Sequence, residues 1–274
     1  MNYRHIYHAG NFADVFKHVL LITLLESLQR KDTPGFFMDT HAGIGLYSLS
    51  ALEAQKTREY ERGIAQLMTF SPQNIVPPAI QHYLDTVMAY NPQGTLAYYP
   101  GSPKVAQQIV RVQDRLVLCE LHSIDSETLK HHFPKHPQVA VHHLDGYLGL
   151  KAFLPPKERR GVVLIDPPFE DDEEWTSIRQ GLQQALERWK QGIYAVWYPI
   201  KQSEGIVLSH PAIAQHGLPY IVVEFFLNES SDRLHACGIA VLNPPWQWKE
   251  LLEESVLPYL SKALNARWTL ESQA

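Results

Sequence analysis

Val162-Val163-Leu164-Ile165-Asp166-Pro167-Pro168-Phe169 is the stretch on which the reading of this chain turns. Four apolar residues, three of them β-branched, follow Gly161 and stop at two prolines. Such a run reads as an interior parallel strand, because proline neither continues a ladder nor donates to one. The strand is predicted over Val162 to Asp166. In open α/β sheets ligands bind beyond the carboxyl ends of the strands, so this position delivers a carboxylate, a rigid bend and an aromatic ring into the crevice together. The exocyclic amine of a planar base is a poor nucleophile, because its lone pair is delocalised into the ring. A carboxylate accepting one N–H and a main-chain carbonyl accepting the other would draw that nitrogen toward tetrahedral geometry and aim it at an electrophilic carbon. Phe169 is placed to stack on the base. Taken alone, the same residues also read as an ordinary strand followed by a Pro-Pro turn capped by Asp.

Outward from this strand, further strands are predicted at Phe36 to Asp39, Leu116 to Glu120, Val139 to Leu144, Ile193 to Tyr198, Tyr220 to Leu227 and Ala236 to Leu242. Apolar residues at three-and-four spacing mark helices at Val15 to Leu28, Lys104 to Val112, Ser126 to Phe133 and Trp175 to Trp189. Ser102-Pro103 is a helix start, with a capping hydroxyl followed by proline. The alternation predicts an α/β, Rossmann-like fold on a mostly parallel seven-stranded sheet, its last two strands forming an antiparallel edge hairpin. Residues 1–50 and 94–274 are read as one domain, and 51–93 as a helical insertion that faces substrate. Ser71-Pro72 and Pro77-Pro78 break the insertion, and Asn91-Pro92-Gln93-Gly94 is its exit turn. Asn243-Pro244-Pro245-Trp246 imitates the Asp166 motif, but only 28 residues follow it, too few for three more strands of such a sheet. It is read as the end of the last strand, with Trp246 and Trp248 packing as a cap.

With 274 residues and 45% hydrophobic content, the chain can bury a full core. Val19 to Leu25, the most aliphatic stretch, is too short to span a bilayer, and the opening Met1-Asn2-Tyr3-Arg4-His5 has no apolar signal region. Cys119 and Cys237 fall inside predicted strands and form no staple framework. A cytoplasmic protein is expected, with no membrane contact and no obligate protein partner. Fourteen histidines carry no HExxH or paired-cysteine spacing, so no metal is expected. Lys plus Arg number 24 against 29 Asp plus Glu, a net charge of −5. A polyanionic partner must therefore meet local basic patches. Candidates are Arg4 with His5, the insertion's Lys56, Arg58 and Arg62, and the Lys157, Arg159, Arg160 cluster.

Acidic residues stand at or just past four predicted strand ends: Asp39, Glu120, Asp145 and Asp166. The first strand leads into Asp39-Thr40-His41-Ala42-Gly43-Ile44-Gly45, where two glycines let the backbone pass close to a ligand. Ser48 stands where a dinucleotide fingerprint has its third glycine, which points to a cofactor without a pyrophosphate, such as S-adenosyl-L-methionine. Glu120 is placed to accept from both ribose hydroxyls. Asp145, followed by Gly146, is placed to accept from the donor's adenine amine. Each of these also reads individually as a strand-end turn.

These motifs closely resemble the RlmJ family of bacterial 23S ribosomal RNA adenine-N6 methyltransferases. The resemblance rests on Tyr3-Arg4-His5, His8-Ala9-Gly10-Asn11-Phe12-Ala13-Asp14-Val15-Phe16-Lys17-His18, Asp39-Thr40-His41-Ala42-Gly43, Tyr99-Pro100-Gly101-Ser102-Pro103 and Asp166-Pro167-Pro168-Phe169. It extends to Trp197-Tyr198-Pro199 and Asn243-Pro244-Pro245-Trp246. It implies a Rossmann-like core with a helical insertion, S-adenosyl-L-methionine as donor, and one adenine of 23S ribosomal RNA as acceptor. It implies that His18, His41, Gly43, Ser102, Glu120, Asp145, Gly146 and Asp166 contact or flank the donor. Asp166 is the implied catalytic residue, and Tyr3, Arg4, Pro167, Pro168 and Phe169 face the RNA. Phe169 stands where family members often carry Tyr, so stacking is kept and a hydroxyl contact is lost. Proteins of this family have also been labelled as involved in the use of external DNA, so a non-catalytic nucleic-acid-binding protein is a further reading, against which the intact Asp166-Pro167-Pro168-Phe169 argues. A guanine-N2 methyltransferase can carry a similar Pro-Pro-aromatic motif, but the N-terminal histidine block and the long insertion argue against that reading.

Overall fold

The computed structural model describes residues 4–70, 75–170, 173–200, 216–229 and 234–273. Its centre is the run that opened the sequence. In chain order the strands are β1 (Phe36–Asp39), β2 (Leu46–Ser48), β3 (Tyr98–Pro100), β4 (Arg115–Glu120), β5 (Val139–His143), β6 (Gly161–Ile165), β7 (Ile193–Pro199), β8 (Tyr220–Leu227), β9 (Ala236–Leu242) and β10 (Ala266–Gln273). All five residues of β6 are buried, as a parallel strand covered on both faces must be. Gly161 is required by packing, because a Cβ there would lie 2.3 Å from the Phe36 carbonyl oxygen on neighbouring β1.

Eight strands form the main sheet in the order β10-β8-β9-β7-β6-β1-β4-β5, while β2 and β3 pair separately. Strands β5, β4, β1, β6 and β7 run parallel, and β9 runs against both β7 and β8. The predicted seven strands are all present, and β10 is an eighth. It pairs antiparallel with β8 from Ala266↔Leu227 to Gln273↔Tyr220 and takes the edge position expected for the hairpin. Its sequence, Ala-Arg-Trp-Thr-Leu-Glu-Ser-Gln, mixes charged and polar residues into the apolar alternation, which hid it.

The cap reading of the final tryptophans holds for one ring only. Trp248 is buried and its Nε1 donates to Thr23 Oγ1 at 2.8 Å, whereas Trp246 is 80% exposed. A helix running Trp248–Leu251, through a π-helical turn Leu252–Val256, to Leu257–Ala263 connects β9 to β10.

Helix α1 (Phe12–Gln29) lies against the sheet with fifteen of its eighteen residues buried, so it is apolar nearly all round. Asn11 caps it by accepting from the Asp14 amide. Within residues 51–93 lie α2 (Leu52–Thr57), a 3₁₀ turn (Glu59–Arg62), α3 (Ile64–Thr69) and α4 (Pro78–Ala89). Ile64, Leu67, Ile80, Tyr83 and Val87 join the same apolar cluster as α1. The exit turn is held by Asn91, whose Oδ1 accepts from the Ala97 and Tyr98 amides, while Gly94 takes φ +80°. The break at Ser71-Pro72 lies outside the described residues. Beyond residue 93 follow α5 (Ser102–Ile109), α6 (Ser123–His132), α7 (Gly146–Phe153) and α8 (Glu174–Arg188).

Candidate active site

At the carboxyl ends of β1, β4, β6 and β7 opens a cleft of about 270 Å³, walled also by the N-terminal segment and α1. Each wall arises from a local rule. Strand β6 ends at Ile165 because Pro167 has no N–H to give, so Asp166 projects into the cleft and Pro167-Pro168-Phe169 forms its rim. Phe169 sits at φ +49°, an uncommon conformation for a bulky residue, with its ring edge-on to Trp175 (5.3 Å) and Trp197 (6.1 Å).

Asp166 does not stand alone. Its Oδ2 accepts from Lys17 Nζ at 2.6 Å, and the same ammonium lies 3.0 Å from Asp14 Oδ1. Asp14 Oδ2 in turn accepts from the Gly10 amide and lies 2.9 Å from His5 Nε2. Four titratable groups are thus chained through the wall of the cleft, which is how buried charges must be arranged to be tolerated. Burial alone would lower the Lys17 ammonium, but the Asp14 and Asp166 carboxylates outweigh it and hold it well above the usual lysine range. Burial likewise opposes ionisation of Asp14, and the His5 and Lys17 charges overcome it. Lys17 Nζ also sits 5.7 Å from the centre of the Trp197 ring.

The glycine loop makes the opposite wall. Gly43, at φ +59°, donates its N–H to Glu120 Oε2 at 2.8 Å, and a Cβ there would come within 2.3 Å of the Tyr47 hydroxyl. The His122 amide holds the other Glu120 oxygen at 2.8 Å. Burial raises the Glu120 carboxyl above its ordinary range, against the pull of those two N–H groups. Beneath the loop, Asp39 is fully buried between Ser102 Oγ (2.6 Å) and the His41 amide (3.1 Å). Burial pushes it up to about 7, with Ser102 opposing the rise and the Asp166 carboxylate adding to it.

Of the residues singled out in the sequence, the structure brings together His18, His41, Gly43, Ser102, Glu120, Asp166, Pro167, Pro168, Phe169 and Arg4 around this one cleft. His18 is held by Tyr99 Oη at 2.8 Å, with Tyr83 behind it at 3.0 Å, and burial drops it to about 3, so the ring is neutral. His41 contacts Thr40 Oγ1, lies edge-on to Tyr147 and is pushed down to about 4 by burial. Asp145 and Gly146 do not line the cleft. Asp145 Oδ1 caps α7 through the Tyr147 and Leu148 amides, and Gly146 is fixed by the Thr40 carbonyl, 2.2 Å from where its Cβ would stand. Tyr3 lies outside the described residues. Arg4 is exposed and paired with Glu53. Two of the three candidate phosphate contacts in residues 51–93 are likewise engaged, Arg58 with Glu61 and Arg62 with Glu229.

Sequence reasoning missed the partners of Asp166. Asp14 and Lys17 were visible as charges at three-residue spacing inside an almost wholly apolar helix. Such charges, once buried, require a counter-charge, and that was the available signal. Trp197 carried only the resemblance.

A mostly parallel sheet with one reversed strand near its edge, a glycine loop across the end of β1 and an Asp-Pro-Pro-Phe rim at the end of β6 define a Rossmann-like methyltransferase. The chain belongs to the family described as ribosomal RNA large subunit methyltransferase D, RlmJ, whose model matches residues 32–272. It is 39% identical over 267 residues to ribosomal RNA large subunit methyltransferase J of Escherichia coli (strain K12), covering 96% of this chain and 94% of that protein. The protein of the same description from Haemophilus influenzae is 38% identical over 279 residues, covering 99% of this chain and 98% of its own. A crystal structure of a Legionella pneumophila protein superposes with a TM-score of 0.85 at 34% identity, covering 97% of this chain and 99% of that one.

Proposed function

We propose that this protein transfers a methyl group from S-adenosyl-L-methionine to the exocyclic N6 amine of an adenine in 23S ribosomal RNA. One observation carries the reading: Asp166 projects into the cleft with one oxygen fixed on Lys17, behind a Pro-Pro bend and an aromatic rim. With Oδ2 occupied, Oδ1 is the oxygen left to accept from the amine. A carbonyl of the Pro167-Pro168 bend would accept the second N–H. Phe169 stacks on the base, and Lys17 holds the carboxylate in one rotamer so that no reorganisation accompanies the reaction. The proton leaving the nitrogen passes to the Asp166 carboxylate.

The residues present suit the donor. Each Glu120 oxygen accepts one main-chain N–H and so keeps a lone pair for a ribose hydroxyl. The loop at Gly43 has no room for a side chain, which leaves main chain facing the cleft. His18, His41 and Ser102 would border the donor's amino-acid end, whereas Asp145 and Gly146, which lie off the cleft, cap and seat α7. When bound, S-adenosyl-L-methionine supplies the electrophilic methyl carbon.

Reaching the amine takes the base out of its stack, at roughly a few kcal/mol, which favours protein-free RNA or an early assembly intermediate over a compact ribosomal subunit. The test is incubation with labelled donor and protein-free large-subunit RNA, followed by digestion to nucleosides. N6-methyladenosine is expected. N2-methylguanosine, or no labelled nucleoside, refutes the reading.

A further inference from the structure

We infer that the strand-entry end of the sheet, opposite the cleft, is a second RNA-binding surface that grips the phosphate backbone of the substrate away from the target base. The inference rests on the RNA-methyltransferase reading above. Its ground is where the chain keeps its cations. Segments 30–35, 111–115, 134–138, 155–160 and 188–192 lead into β1, β4, β5, β6 and β7. Together they hold ten Lys and Arg against three carboxylates, leaving 14 Lys and Arg against 26 Asp and Glu in the rest of the chain. The strand-entry end is thus net basic in a chain that is otherwise net acidic, so a polyanion is drawn to it.

Some of these cations serve the fold. Arg160 donates to the Leu28 carbonyl in the last turn of α1 and Arg188 to that of Leu154 at the end of α7, where cations complement helix C-termini, and Arg111 donates to the Lys31 and Thr33 carbonyls. Lys31, Arg159 and Lys190 do not. They are exposed and make no side-chain hydrogen bond or ion pair among the described residues. At the same end of the sheet stands a largely exposed aromatic ring. Trp246 is 80% exposed, its carbonyl accepts from Arg30 at 3.2 Å, and Asn243 of the same loop donates to the Lys190 and Gly192 carbonyls at 2.8 Å. Cations around an exposed aromatic are the parts of a surface that tracks a nucleic-acid backbone and stacks an unpaired base. Strands of five to seven residues separate this surface from the cleft by about 15–25 Å. A long RNA can reach both ends, and a short fragment seated in the cleft cannot.

The experiment compares wild type, the triple variant Lys31→Glu/Arg159→Glu/Lys190→Glu, and Trp246→Ala. Binding to protein-free large-subunit RNA is measured across a salt series. Methyl transfer is measured on the shortest fragment of that RNA which wild type still methylates, and donor affinity by calorimetry. The triple variant is expected to bind the long RNA at least tenfold more weakly, with the slope of log Kd against log salt reduced by about two to three. Its kcat/KM on the fragment and its donor affinity should stay within twofold of wild type. Trp246→Ala should weaken long-RNA binding about fivefold or more with the salt slope unchanged. Unchanged long-RNA affinity in the triple variant overturns the inference, as does an equal loss on the fragment. Failure of wild type to methylate any RNA would instead count against the proposed reaction, and the binding series would still decide this surface.

Discussion

Replacing Asp166 with Asn preserves its shape and tests what its charge and lone pairs do. A carboxylate has two accepting oxygens, and Lys17 Nζ occupies one of them at 2.6 Å. Asparagine has one oxygen and one NH₂. An ammonium has only donors, so it will claim the amide oxygen, and the NH₂ then turns toward the substrate. An acceptor becomes a donor facing another donor. The amine loses the group that orients its lone pair, and the released proton loses its acceptor. Removing one preorganised hydrogen-bonding group from an active site typically costs about 10²–10³ in kcat, roughly 3–4 kcal/mol, and here a donor clash is added. Asp166→Asn is therefore expected to lower single-turnover transfer at least 10²-fold. Donor affinity, set by the opposite wall, should change less than threefold. Rapid-quench transfer with labelled donor reads the first quantity and calorimetry the second. A variant within fivefold of the wild-type rate would refute both the acceptor role and the claim that Lys17 dictates the amide's orientation.

Glu120→Ala should weaken donor binding about 10- to 100-fold, the scale of one or two hydrogen bonds to a charged group, and an unchanged Kd by calorimetry rejects ribose recognition. Asp39, raised to about 7 from an ordinary carboxyl value near 4, stays protonated in the native state after the unfolded chain has lost its proton. It contributes stability that is fully present below about pH 4 and is lost as pH rises to about 7. Asp39→Asn should remove that contribution, changing the slope of unfolding free energy against pH over this window by about one proton, and parallel curves for the two proteins would disprove it. His18, neutral down to about pH 3, works in the other direction, so His18→Asn should blunt the loss of stability on acidification from about pH 6.5. Denaturant titrations at several pH values test this, and an acid limb identical to wild type counts against it. Gly63→Ala would put a Cβ 2.1 Å from the Gly10 carbonyl oxygen, prising the insertion from the N-terminal wall of the cleft. It should cost at least about 1–3 kcal/mol in unfolding free energy, and a neutral result would mean that the two backbones separate freely.

Fold legibility followed the distinction between buried and half-exposed strands. β6, β1 and β4 sit in the middle of the sheet, covered on both faces, so their sequences are unbroken apolar runs that nothing else explains. β10 is an edge strand with one face toward solvent. Its Arg267, Thr269 and Glu271 alternate with Trp268 and Leu270, a pattern a short stretch shares with many loops. Helix α7 was missed for a related reason. It is short, it carries two glycines, and one of these is demanded by contact with Thr40, a tertiary neighbour that propensity cannot see.

The site divides along another line. The candidate residues at strand ends, Glu120 and Asp166, could be placed at the cleft from the strands alone, since topology carries all such ends to one side of the sheet. Asp145 obeyed the same rule and then spent an oxygen on capping α7, because Gly146 opens that helix at once and its first amides need an acceptor. Lys17 could not be placed, since its partner lies 149 residues away in sequence. What the sequence did contain was the anomaly of Asp14, Lys17 and His18 on a helix buried on nearly all sides. A buried charge implies a counter-charge somewhere. The strand-end carboxylates supply the short list of where it could be, and among them only Asp166 faces α1 across the cleft at bonding distance.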